Sequence, residues 1–328
     1  MGVSLWIKTL GTISGMVGPG SGNVWERRQY LMSKTRLTAF LAVFLVAIAS
    51  FVVAGCGSSS STTTGSETTA ETSEGGGEEA AGGGGEEAAS GGGEKLTVGS
   101  DIPYPPFEFG KPGSYTGFDV DLMDAIGEEI GREPEFIKSS FETIFRDVAQ
   151  GKFEAVMSAA TITEEREKVV SFSLPYYLSE QAIVVAEGSS IKGLADLKGK
   201  IVAAQQGTTG LELGKEKAEA AELRPYPEGP TAINALKAGT VEAVIIDDPV
   251  AVKATEELSG IEIAEKVETD ETYGIAFAKG STELLEQINE GLKKTIENGK
   301  YAKVYEKWFH EAPPLPGLEK AIKEAESK

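Results

Sequence analysis

The chain has 328 residues, a hydrophobic content of 40%, a charged content of 25% and a formal net charge of -20. That length and apolar content suffice for a buried core in two or three lobes, and a balance this acidic excludes nucleic-acid binding, which needs Lys and Arg clustered against phosphates. One cysteine, Cys56, and one histidine, His310, leave no disulfide framework, metal cluster or histidine-based triad, so no cofactor, metal or catalytic residue is expected.

Residues 1–31 fit no targeting plan, and Met32 reads as the true start behind a misassigned extension. From Met32 come two basic residues, Lys34 and Arg36, an apolar run from Leu37 to Val53, and then Val53-Ala54-Gly55-Cys56. Basic, apolar and small segments in that order make 32–55 a signal peptide; the run is short for a permanent membrane helix. The small residues ending at Cys56 resemble a bacterial lipobox, which implies diacylglycerol on the Cys56 thiol and a chain tethered to the membrane. Residues 56–94 follow as a flexible Gly/Ser/Glu linker: they offer no aromatic residue and no apolar period, so they cannot bury enough surface to offset ordering.

From Lys95 short apolar strands alternate with amphipathic helices, the pattern of an α/β fold. Leu96–Gly99 reads as a strand, Phe118–Ile130 as a helix with Leu122, Ile126 and Ile130 on one face, and Glu135–Ile137 as the next strand. A helix over Phe141–Val148 and a strand over Ala155–Met157 make another unit. A second set follows: strand Ile201–Ala204, a helix from Thr208, strand Leu223–Tyr226, helix Pro230–Ala238 with proline near its start, and strand Ala243–Ile246. The chain returns through Gly274–Ala278, a helix Ser281–Asn298 stopped by Gly299, and a final helix carrying Tyr301–Phe309.

Several motifs stand in order along this region: Pro106-Phe107-Glu108-Phe109, Gly117-Phe118-Asp119-Val120-Asp121-Leu122, Thr161-Ile162-Thr163-Glu164-Glu165-Arg166, Pro175-Tyr176-Tyr177, Gln206-Gly207-Thr208-Thr209, Tyr273-Gly274-Ile275-Ala276 and Tyr305-Glu306-Lys307-Trp308-Phe309. As a set they resemble family 3 of the bacterial extracellular solute-binding proteins, receptors of polar amino-acid ABC importers. The resemblance implies a two-lobe, periplasmic-binding-protein-like (type II) α/β fold that closes on its ligand through two crossover hinge strands. Lobe 1 would be 95–181 plus 275–328, lobe 2 would be 182–274, and the crossovers would fall near Ser179–Ile183 and Glu271–Ile275.

A zwitterionic amino acid needs a cation and N–H donors for its carboxylate and an anion for its ammonium. The resemblance assigns the carboxylate to Arg166, which follows a candidate N-cap at Thr163, with a hydroxyl and N–H from Thr161 and the helix start at Thr208 and Thr209. Ser158 or Ala159 would give a backbone carbonyl, Asp247 would take the ammonium, and Tyr104 and Phe141 would sandwich the ligand side chain. Asp101 would read the distal end, and Gln205 would tune selectivity. Simpler fates are open for each: a surface ion pair for Arg166, capping for Thr208 or Asp247, core packing for Tyr104 and Phe141. With an anion at Asp101 and no Lys or Arg at either selectivity position, a basic or glutamine-like ligand fits and an acidic one does not. The implied partners are a polar L-amino acid, importer permease subunits and the membrane through the lipid anchor, with a monomer outside the cytoplasm. The competing reading is an enzyme on the same fold, of the cyclohexadienyl or arogenate dehydratase kind, with Asp101 or Asp247 as general acid.

Overall fold

The computed structural model describes residues 94–327, so the expected extension, signal peptide, Cys56 and all but the end of the linker lie outside the described residues. The first strand, β1 (Glu94–Ser100), leads into a short hairpin, β2 (Phe109–Lys111) and β3 (Ser114–Thr116), and then into α1 (Phe118–Ile130). Helix α1 forms because Phe118, Leu122 and Ile126 recur at helical spacing and are fully buried, and it stops at Gly131, whose φ of 73° suits a left-handed cap. Strand β4 (Arg132–Lys138), α2 (Phe141–Ala149), β5 (Ala155–Val156), the one-turn α3 (Glu164–Glu167) and β6 (Val170–Phe172) complete the first pass. Together with β12 (Ala276–Ala278) these strands make a five-stranded sheet in the order β4-β1-β5-β12-β6. In it β1 lies parallel to β4 and β5, and β12 runs antiparallel to β5 and β6.

A second five-stranded sheet has the order β11-β7-β10-β8-β9. Its members are β7 (Tyr177–Ala186), β8 (Ile201–Gln205), β9 (Glu222–Tyr226), β10 (Ala243–Asp247) and β11 (Ile261–Tyr273), with helices α4 (Thr209–Lys217), α5 (Gly229–Lys237) and α6 (Asp248–Glu257) between them. Strands β8, β9 and β10 are parallel, and Val202, Ala203, Val244 and Ile245 read as continuous apolar runs because both sheet faces are covered. The two-lobe α/β plan is thus present, one lobe around each sheet. Strands β7 and β11 pair antiparallel, Tyr177 opposite Tyr273 at one end and Ala186 opposite Ile261 at the other.

The chain ends with α7 (Thr282–Glu297), α8 (Lys300–Phe309) and α9 (Leu315–Glu326). Helix α9 corrects the expectation that the helix through Phe309 is the last. Pro313, Pro314, Pro316 and Gly317 look like breakers, yet proline is tolerated in a first helical turn, and Leu318 and Ile322 bury one face of the helix. Strand β5 is also shorter than expected: Met157 lies beyond it, although its N–H still donates to Gly99 at 3.2 Å. No helix among the described residues is long and apolar enough to cross a membrane.

An aromatic cluster binds these pieces where the two long strands leave the first lobe. Phe107, Phe118, Tyr177, Tyr273, Tyr305 and Phe309 form one cluster with ring centroids 4.7–6.0 Å apart. Tyr301 adds a hydroxyl that donates to the Tyr176 carbonyl at 2.9 Å. Helix α8 therefore fixes the point at which β7 begins.

Candidate functional site

The C-terminal ends of β1 and β5 in one lobe meet those of β8 and β10 in the other, which is where open α/β sheets present loops and free helix N-termini. Between them is a narrow cavity lined by Asp101, Tyr104, Phe141, Ser158, Ala159, Thr161, Arg166, Gln205, Thr208, Thr209 and Asp247. All eleven candidate residues named from sequence line this one space.

Arg166 stands at the third position of α3, whose cap Thr163 accepts from the Arg166 N–H at 3.2 Å. Its guanidinium donates to the carbonyls of Thr161 at 2.6 Å and Gly207 at 3.1 Å, and it lies 5.2 Å from the Phe141 ring centre and 4.7 Å from that of Phe145. A surface pairing with Glu165 is therefore not its arrangement; Glu165 pairs with Lys168 instead. Burial pulls the guanidinium down to about 10, against the opposing charges of Glu271 and Asp247, so it stays cationic at neutral pH. Phe141 both lines the cavity and supports Arg166 from one face.

Asp247 is the N-cap residue of α6 by position, but its carboxylate makes no cap bond. It accepts from Tyr104 Oη at 2.8 Å, Tyr273 Oη at 2.7 Å and Gln181 Nε2 at 2.6 Å. Burial pushes it up to about 6, helped by the nearby charge of Glu271 and opposed by those three donors. Asp101 accepts from Gln205 Nε2, and burial raises it to about 6 as well, with the Gln205 bond opposing. Gln205 stays in place because its Nε2 also donates to the Pro227 carbonyl at 3.2 Å.

The hydroxyls differ from expectation. Ser158 donates to Glu108 at 2.6 Å, Thr208 donates to the Gln205 carbonyl at 2.8 Å while capping α4, and Thr161 and Thr209 donate to Glu271 at 2.6 and 2.9 Å. A hydroxyl carries one proton, so these four leave the anion-binding work to Arg166 and to backbone N–H groups such as those in the first turn of α4. The turn into that helix needs Gly207, at φ 81° with Glu142 Cα only 3.3 Å from where a Cβ would stand. Glu271, Gln181 and Tyr273 fall in the expected crossovers but were not named as site residues: they sit on β7 and β11, and no local pattern marks which strand residues turn toward a cleft. Among the described residues no group of three His, Cys, Asp or Glu side chains is placed to hold a metal ion.

Known proteins resemble this chain over most of its described length. A family model described as "Bacterial extracellular solute-binding proteins, family 3" matches residues 96–311. The chain is 34% identical over 205 residues to the ABC transporter glutamine-binding protein GlnH of Bacillus subtilis, covering 61% of this chain and 75% of that protein. It is 31% identical over 275 residues to the arginine-binding extracellular protein ArtP of the same organism, covering 82% and 97%. Among solved structures, the arginine-, lysine-, histidine-binding protein ArtJ of Geobacillus stearothermophilus superposes with a TM-score of 0.65 at 34% identity, over 69% of this chain and all of that one. The ancestral amino acid-binding protein AncCDT-1, a precursor of cyclohexadienyl dehydratase, gives a TM-score of 0.61 at 38% identity, over 66% and 95%.

Proposed function

Because this chain belongs to the bacterial extracellular solute-binding proteins, family 3, we propose that it is the substrate-binding component of an amino-acid ABC importer and takes a basic L-amino acid, arginine foremost. The single observation that carries the ligand choice is the charge around the cavity. Among the described residues lining the cavity, Asp101 and Asp247, with Glu271 beside them, stand against one cation, Arg166; Lys138, whose charge reaches Asp101, pairs with Glu228 at 3.0 Å. A zwitterion uses Arg166 and Asp247 and leaves Asp101 uncompensated; a cationic side chain completes the balance, a glutamine amide does so by hydrogen bonding alone, and a second carboxylate opposes it. A thermal-shift screen with the common amino acids tests this: arginine, lysine or ornithine should raise Tm more than glutamine, and aspartate should not raise it.

Closure is the working step of this reading. Lobe 1 (95–181 and 275–328) and lobe 2 (182–274) hinge where β7 and β11 cross, the ligand fills the cavity, and the closed form docks on the permease with no bond changed. The signal peptide over 32–55, lipid on Cys56 and the linker of 56–94 would hold the receptor outside the cytoplasm, within reach of that permease. Mass spectrometry of the N-terminal peptide from cells should find diacylglycerol on Cys56. A dehydratase on the same scaffold is the second reading, favoured by the likeness to AncCDT-1 and by an Asp101 that could carry a proton near pH 6. That relative is itself named an amino acid-binding protein, and Asp247 cannot both hold an ammonium and serve as an acid. Turnover of prephenate or arogenate by purified protein would favour the enzyme.

A further inference from the structure

Behind the cavity floor lie two acidic side chains that the binding reading does not use. Glu108, from the loop before β2, and Asp119, in the first turn of α1, are both fully buried. Each offers one oxygen to the loop that follows β5. Glu108 Oε1 accepts from the Ser158 hydroxyl at 2.6 Å, and that hydroxyl in turn accepts from the Asp101 N–H at 2.9 Å. Asp119 Oδ2 accepts from the Ala159 N–H at 2.8 Å and from Tyr176 Oη at 2.9 Å. The other oxygens, Glu108 Oε2 and Asp119 Oδ1, are buried with no partner among the described residues, and the two side chains are brought together because their partners Ser158 and Ala159 are adjacent and the Asp119 N–H bonds the carbonyl of Phe107, next to Glu108.

We infer that Glu108 and Asp119 share one proton at neutral pH and act as positioning residues, their O–H···O bond clamping the Ser158–Ala159 segment that lines the amino-acid cavity. Two ionised carboxylates are acceptors only, so nothing but a proton can join them, and two anions in contact away from water cannot both persist. The groups facing the pair add no cation: Asp101 repels Glu108, and Tyr176, Tyr104 and Tyr301 are buried phenols. Burial raises Glu108 well above the carboxylate range and Asp119 to about 7. The clamp has a purpose at Ala159, a non-glycine residue at φ 44°, where the backbone is held in a left-handed conformation that a side chain disfavours. The N–H held by Asp119 belongs to that residue. Close approach makes the arrangement possible: at Gly117 a Cβ would lie 1.9 Å from the Phe107 carbonyl, and that contact sets α1 so that the Asp119 N–H reaches the same carbonyl at 3.0 Å.

The shared proton is tested without any ligand, so its failure is distinct from failure of the amino-acid reading. Infrared difference spectra of the full chain at neutral pH should show the carbonyl stretch of a protonated carboxylic acid in a site closed to solvent, and Glu108→Gln or Asp119→Asn should remove it. Because the folded pair holds a proton that the unfolded chain releases near pH 4, the wild-type Tm should fall as pH rises from 5 through 8, and Glu108→Gln should flatten that slope. With arginine as probe, Glu108→Ala should lose about tenfold in affinity, the equivalent of one buried hydrogen bond, and Glu108→Gln, which still accepts from Ser158 and can donate to Asp119, should lose less. Absence of the band from the wild type, or a pH slope of Tm unchanged in Glu108→Gln, would overturn the inference.

Discussion

Arg166 is held by two carbonyls from opposite lobes and by two rings, and none of these contacts is an ion pair. Such a cation is poised for an incoming carboxylate, and its loss should cost binding far more than stability. Arg166→Ala is expected to weaken arginine binding at least about 100-fold, two charge-assisted hydrogen bonds' worth, with Tm moved by only a few degrees; calorimetry and a melting curve on the same sample check both halves. Asp101 and Asp247, both near 6, set the pH behaviour. A cationic ligand needs them ionised, so affinity should fall about tenfold for each carboxylate between pH 7 and pH 5. In the free protein the sign reverses: their raised values contribute stability that is full below about pH 4 and lost as pH rises through about 6. Tm of the empty protein should therefore climb in mild acid while its affinity drops. Arg166 and Thr208, which line the cavity, stand in quoted motifs beside helix caps, and Asp247, which also lines it, was assigned by the resemblance at the end of a strand. Glu271 was not, since its importance comes from two hydroxyls distant in sequence, Thr161 and Thr209.

Elements with a clear period were the readable ones. Helix α1 has its expected bounds, Phe118 and Ile130, because its apolar spacing and Gly131 agree on where it starts and stops. Helix α9 escaped notice because three prolines and a glycine crowd Pro313–Gly317, though Leu318 and Ile322 are spaced for one buried face. The β2–β3 hairpin, with three residues to a strand, is too short for any alternation to show. Packing makes α8 and α1 interdependent through Phe118, whose ring meets Tyr176, Tyr177, Tyr301, Tyr305 and Phe309. Phe118→Ala should destabilise the fold by about 3–5 kcal/mol, the range for emptying a buried aromatic site, as read by urea unfolding. Phe109→Ala, at the half-buried hairpin contact with Trp308, should cost less.

At the scale of the whole molecule, polar ties join the two lobes around the cavity: Arg166 to Gly207, Tyr104 to Asp247, Gln205 to Asp101, and Lys138 to Glu228 at the rim. Glu271 adds a tie from the hinge side, reaching Thr161 in one lobe and Thr209 in the other. In the proposed closure, a ligand that bonds both lobes shifts the balance between open and closed forms by its differential affinity alone. Glu271→Ala should thus speed ligand dissociation more than it slows association, a split that stopped-flow fluorescence resolves. Two α/β sets were legible in the strand and helix alternation, while their division into two lobes came from the resemblance; the pairing of β7 with β11 was not legible, because register between distant strands has no local signature. The most direct measurement is a calorimetric titration of the purified chain with arginine, lysine, ornithine, citrulline, glutamine and the remaining protein-forming amino acids. The expected result is saturable one-to-one heat, tightest for a basic ligand, weaker for glutamine and absent for aspartate and glutamate. A folded sample giving no heat with any of them would contradict the proposed function.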